Sequence, residues 1–167
     1  MLQISKNNLY MYLIKSLKMK KPFVIGFYGY SNSGKTSIII KLIKRLSDKS
    51  FKVATIKNSD KKIVFDKQEK DTYRHAQSGA ESVVLSSHSE TDFIIKKKLA
   101  FDEIVNYLSM FGEKDIIIVE GANDEITPKI RIGSISERHN TIFTYDNDFE
   151  KLYEFIEKNI KQRGVKS

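Results

Sequence analysis

Short apolar runs alternate along the chain with stretches in which apolar residues recur at helical spacing, and this alternation predicts the elements in order. Phe23 to Tyr28 is a short apolar run that stops at Gly29, the signature of a strand bounded by a turn. Ser37 to Leu46 then carries Ile38, Ile39, Leu42, Ile43 and Leu46 at the intervals of one helix face. Lys52 to Ile56 reads as a second strand, closing a strand-helix-strand unit of about 35 residues whose crossover should be parallel and right-handed. A polar stretch from Asn58 to Glu69 follows. Beyond it the pattern predicts a helix from about Asp71 to Ser78, with Asp71 as its cap and Gly79 as its stop. Ser82 to Ser86 and Phe93 to Ile95 are further candidate strands, and Phe101 to Met110 is a helix. Asp115 to Glu120 contains the unbroken run Ile116 to Val119, as in a strand buried on both faces. Lys129 to Ile132 and Thr141 to Thr144 extend the series of strands. A last amphipathic helix runs from about Asp148 to Gln162, with Leu152, Phe155, Ile156 and Ile160 on one side. Strands alternating with helices in this way imply a doubly wound, mainly parallel α/β sandwich.

Composition narrows the picture without redirecting it. A chain of 167 residues suits one compact domain. There is no cysteine, which excludes disulfides, thiolate zinc sites and cysteine nucleophiles and suits a reducing cytoplasm. The longest apolar run near the N-terminus, Leu9 to Ile14, is far shorter than the ~20 residues of a membrane span. The expected location is therefore cytoplasmic, with no membrane partner. The net charge of +8 invites a nucleic-acid reading, yet residues 1–21 hold Lys6, Lys15, Lys18, Lys20 and Lys21 and no acid. The remainder is +3, an ordinary surface, so nucleic acid is not an expected partner. Residues 1–20, basic and weakly amphipathic, read as an N-terminal extension containing Met11 and Met19, and residues 21–167 as one nucleotide-binding domain.

The chemistry begins at the first predicted turn. Gly29 to Thr36, GYSNSGKT, satisfies the pattern G-x-x-x-x-G-K-[ST] between a strand and an amphipathic helix, the context a phosphate-binding loop requires. Gly29 and Gly34 permit backbone conformations and a close phosphate approach that a Cβ would block, while the loop amides, over Tyr30, Ser31, Asn32 and Ser33 to Thr36, face the anion with the helix dipole behind them. Lys35 is expected to bridge the β and γ phosphates, and Thr36 to offer its hydroxyl to Mg²⁺, which takes one or two protein oxygens and keeps several waters. The class implied is a P-loop NTPase-type three-layer sandwich with a mainly parallel sheet.

A second acid should stand at the C-terminal end of another buried strand. Glu120 in DIIIVEG fits, with Gly121 freeing the backbone beside it, whereas Asp115 lies at the opposite end and should be structural. Selection of a base is less clearly written. The guanine-reading sequence Asn-Lys-x-Asp does not occur, and Asp146, in the turn TYDND, is the candidate acceptor for a guanine edge. Lys57, just past the second strand, is a candidate phosphate contact. Asp71 with Arg74, or with His75, would pair on a helix face. His75, His88 and His139 are too scattered to form a metal cluster.

The segment Ile56 to Ala80, IKNSDKKIVFDKQEKDTYRHAQSGA, adds a different kind of information. Together with the phosphate loop it resembles the molybdopterin-guanine dinucleotide biosynthesis adapter family, the MobB proteins, in three places. These are the loop and its helix; Ile56-Lys57 with Asp66 and Lys70-Asp71-Thr72-Tyr73 before Gly79-Ala80; and Glu120-Gly121 followed by Pro128-Lys129-Ile130. The resemblance implies a GTP-binding protein of slow hydrolysis, usually a homodimer, that works beside the molybdopterin guanylyltransferase and molybdoenzyme apoproteins. It implies that Asp66, Asp71 and Lys57 line the site facing nucleotide or pterin phosphate, that Thr36, Glu120 and Asp66 serve Mg²⁺, and that Lys35, Glu120 and Asp71 carry any catalysis. The chain departs from the family where Asn58, Asp60 and Lys61 stand in place of histidines, at Gln68-Glu69, and at Ala122 and Asn123.

Two other functions compete. A small-molecule or nucleotide kinase would use the same loop with Asp71 as base and Arg74 against developing charge, but lid arginines are not evident. A metal-delivery GTPase would need soft ligands, which the lack of cysteine argues against.

Overall fold

The computed structural model describes residues 21–59 and 71–164. The expected N-terminal extension, Asp66 and most of the Asn58 to Glu69 stretch lie outside the described residues. Those described fall into two compact units, one drawn from residues 21–58 and 107–164 and the other from 59 and 71–106.

The first unit is built on five parallel strands. They are β1 (Phe23–Tyr28), β2 (Val53–Lys57), β5 (Ile116–Glu120), β6 (Lys129–Ile132) and β7 (Thr141–Tyr145), in the order β2-β5-β1-β6-β7. The predicted strand-helix-strand unit is present as β1, α1 (Lys35–Asp48) and β2, but β5 lies between its two strands, parallel to each. Strand β5 is apolar until its last residue, Glu120. Ile116, Ile117, Ile118 and Val119 are all fully buried, as the unbroken apolar run requires.

Register separates the two faces. Phe23, Ile25 and Phe27 share one face with Ile116, Ile118, Ile130 and Ile132, and this face packs against α1 and α4 (Phe149–Gly164). Helix α1 contributes Ile39, Leu42 and Leu46, and α4 contributes Phe149, Leu152, Tyr153, Ile156 and Ile160. Each such large apolar side chain gains roughly 1.5–3 kcal/mol on burial, so the apolar stripe seen in the sequence is the main determinant of where these helices sit. On the opposite face the backbone of β1 comes within touching distance of Ala122: a Cβ on Gly26 would lie 2.3 Å from the Ala122 Cβ. Asp115, at the N-terminal end of β5, accepts a hydrogen bond from the Lys52 amide at 2.8 Å and so performs the structural role expected of it.

The second unit carries α2 (Asp71–Gln77), the antiparallel pair β3 (Ser82–Ser86) and β4 (Thr91–Ile95), and the start of α3 (Phe101–Met110). Gly79, at φ +107°, ends α2, and the Ala80 amide donates back to the His75 carbonyl across it. In the hairpin Val83 pairs with Ile94 on one face, while Val84 pairs with Phe93 on the other. Val84 and Phe93 are both more than half exposed. Among the described residues no helix is long and apolar enough to cross a membrane.

Candidate functional site

The C-terminal ends of β1 and β5 bring the sequence-predicted residues together. The loop Gly29 to Thr36 leaves β1 and enters α1, and its two glycines serve different ends. A Cβ at Gly29 would stand 2.5 Å from the Ile132 carbonyl oxygen and 2.8 Å from Ser33 Oγ, so this glycine admits the neighbouring strand. Gly34 has open space around it but takes φ +82°, which an L side chain rarely adopts. Asn32 is also left-handed, at φ +60°. Alternation of this kind turns successive amides toward one point and makes an anion-binding concavity. Gly34 is also the N-cap of α1. No side chain caps the helix there and its first turn holds no acid, so the first-turn amides that a capping side chain would occupy stay available to a ligand.

Lys35 folds back over the loop. Its ammonium donates to the carbonyls of Gly29, at 2.9 Å, and of Tyr30, and lies 3.3 Å from Ser33 Oγ. Next to it the Thr36 hydroxyl donates to Glu120 Oε1 at 2.7 Å across 84 positions of sequence. The same oxygen accepts from Lys57 Nζ at 3.3 Å. Thr36 and Glu120 offer hard oxygens beside a phosphate-shaped loop, a donor set that suits magnesium. Gly121 follows with φ +80°, close against Asn58, whose amide donates to the Glu120 carbonyl at 2.9 Å.

Asp146, in the same unit, makes none of these contacts. Asp146 follows β7, and its carboxylate accepts from Lys151 Nζ at 3.0 Å. That hydrogen bond, with one from the Asp148 amide, holds the Asp146 carboxyl below the usual carboxylate range. Asp71 belongs to the second unit, where it is exposed and pairs with Arg74 at 3.6 Å, the i, i+3 contact its spacing suggested.

Some side chains near the site have roles that the sequence does not assign to them, and Lys129 enters there only through the family resemblance. Lys129 is 1% exposed, with its ammonium donating to the carbonyls of Thr127 at 2.9 Å and His139 at 3.3 Å. Arg138 lies over the Tyr28 ring and donates to the Ala122 carbonyl and Asn123 Oδ1, and Asn140 donates to the carbonyls of Glu125 and Ile126. These three side chains stitch the loop after Glu120 to the loop after β6. Within it, burial pushes the Asp124 carboxyl up, but hydrogen bonds from the Thr127 and Ile126 amides and the charge of Lys129 outweigh it and leave the group below its ordinary range. A charged residue inside the strand run KIRI was the available signal, but its acceptors belong to loops that only folding brings near.

Comparison with known proteins gives this geometry a lineage. The molybdopterin-guanine dinucleotide biosynthesis adapter protein of Haemophilus influenzae is 32% identical over 110 residues, covering 64% of this chain and 61% of that one. A Methanocaldococcus jannaschii chain named for the same adapter is 37% identical over 103 residues, which are 62% of this chain and 42% of its own length. The matched region thus spans less than two thirds of either relative. The crystal structure of Bacillus subtilis MobB superposes with a TM-score of 0.63 at 14% identity, covering 81% of this chain and 96% of that one, which demonstrates a shared fold. The family model described as molybdopterin guanine dinucleotide synthesis protein B matches residues 24–156, from the first strand through the first half of the last helix, and the chain belongs to that family, MobB.

Proposed function

We propose that this chain is a GTP-binding adapter of molybdenum or tungsten cofactor biosynthesis that assists the formation or delivery of molybdopterin-guanine dinucleotide. Family membership supports the pathway, and the contact of Thr36 with Glu120 at the mouth of the phosphate loop is the observation that carries the nucleotide part. In this reading the loop amides and Lys35 hold the phosphates. Thr36 and Glu120 hold Mg²⁺ directly or through water, and the ion, when bound, neutralises phosphate charge. Asp146, kept ionised, accepts from a guanine edge. Turnover is at most slow GTP hydrolysis, because an adapter uses nucleotide to set a conformation. The partners are the guanylyltransferase and molybdoenzyme apoproteins, met in the cytoplasm.

Calorimetric titration with GTP and with ATP, each with Mg²⁺ and with chelator, tests the site. The expected result is magnesium-dependent binding with GTP preferred by tenfold or more. Binding of neither nucleotide, or rapid ATP consumption that depends on an added acceptor, would replace the adapter with another function.

The chain also acts as a homodimer in this proposal. A two-stranded hairpin is marginal alone, and the exposed Val84–Phe93 pair offers apolar surface for a second copy. Light scattering should give twice the monomer mass, and Phe93→Lys should halve it. A wild-type monomer at micromolar concentration would contradict the idea.

A further inference from the structure

Glu120 Oε1 has two donors, and Thr36 accounts for only one of them. The second is Lys57, whose position is set by strand pairing: Lys57 and Glu120 are register partners at the ends of β2 and β5. The pairing keeps an ammonium beside the carboxylate, yet the lysine side chain is 62% exposed and its four-carbon stem is free to swing. Through Glu120 the ammonium stands two contacts from the Thr36 hydroxyl and hence from the end of the phosphate loop. The backbone beyond it cannot follow freely. The Asn58 amide is bonded to the Glu120 carbonyl, and Gly121 packs against the Asn58 carbonyl oxygen so closely that a Cβ there would lie 3.1 Å away.

A divalent cation and a lysine ammonium repel each other strongly when both approach one carboxylate oxygen. A magnesium ion that engaged Thr36 and Glu120 would displace Lys57 from its partner, and a terminal phosphate held by the same loop would offer the ammonium a new one. We propose that Lys57 is a charge-exchange residue. It neutralises Glu120 in the nucleotide-free protein and yields that carboxylate to magnesium when a nucleoside triphosphate binds, taking the γ-phosphate as its new partner. The inference rests on the nucleotide reading of the loop given above. It makes residue 57, beside Lys35, a second point at which a triphosphate is told from a diphosphate. Asn58, the next residue, is the last of the first unit before the chain enters the second.

Titrations of the full chain with Mg·GTP and Mg·GDP, in wild type, Lys57→Met and Lys57→Arg, separate this from a static ion pair. Wild type should favour Mg·GTP over Mg·GDP by about tenfold, the worth of one charge-assisted contact. Lys57→Met should lose about tenfold for Mg·GTP alone. Its Mg²⁺ requirement with GDP should fall several-fold, because the competing cation is gone. Lys57→Arg should keep most of the preference. Equal losses for GTP and GDP, or no change in either, would reduce Lys57 to a strand-end partner of Glu120 and overturn the proposal. Absence of binding in wild type would instead remove the nucleotide reading, and this inference with it. A circular-dichroism melt of each variant shows that the fold is retained, as expected for so exposed a side chain.

Discussion

Replacing Lys35 by alanine is expected to weaken Mg·GTP binding by at least about a hundredfold, the largest single effect at the site. The ammonium already donates to the Gly29 and Tyr30 carbonyls and lies near Ser33 Oγ, so it sits inside the curve of the loop, poised where phosphate oxygens would replace those acceptors. A charge-assisted hydrogen bond contributes about 1.5–3 kcal/mol, and a lysine bridging two phosphates makes more than one, so about 3 kcal/mol and two orders of magnitude are at stake. Alanine also leaves those loop carbonyls without their internal donor. The same variant should show little change in its unfolding midpoint, because Lys35 is only partly buried and is not part of the hydrophobic core. Calorimetry beside a thermal melt measures both quantities. Retention of wild-type GTP affinity by Lys35→Ala would show that the loop does not hold the phosphates.

The second large effect falls on stability. Gly26→Ala should cost about 3 kcal/mol and lower the melting temperature by roughly 6–12 °C for a domain of this size. The added Cβ would lie 2.3 Å from the Cβ of fully buried Ala122, with Thr127 Cγ2 at 3.4 Å and Lys129 Cγ at 3.5 Å behind it. The nearest clash is with an atom fixed to the backbone, so no rotamer change relieves it. Ala122 follows Glu120 and Gly121, and its carbonyl accepts from Arg138, so a shift there disturbs the stitched loop as well. The double variant Gly26→Ala with Ala122→Gly returns the lost space and should recover most of the loss. A Gly26→Ala protein as stable as wild type, or no rescue in the double variant, would refute this packing account.

Much of the fold is legible before folding because its elements are local. Phe23–Tyr28, Ser82–Ser86, Phe101–Met110 and Lys129–Ile132 lie where the apolar pattern puts them, since a run of apolar residues or a helical stripe has one economical way to be buried. Ends were less legible. The second strand reaches Lys57, one residue past its apolar pattern, because the neighbouring strand β5 continues to Glu120 and supplies the pairing. That single residue decides that Lys57 faces Glu120. The family resemblance drew on Asp66, which lies outside the described residues, and on Asp71, which the structure assigns to the second unit.

Residue chemistry along the chain was enough to specify a phosphate loop, an acid on a buried strand and a mainly parallel α/β fold, because glycine freedom, apolar periodicity and hydroxyl or carboxylate donors are properties of short segments. It could not specify that β5 lies between β1 and β2, that Thr36 meets Glu120 across 84 residues, or that the Lys129 ammonium is buried against the Thr127 and His139 carbonyls. Those outcomes depend on which segments become neighbours, and neighbours are chosen by the burial of the whole sheet, a global quantity that no local window contains.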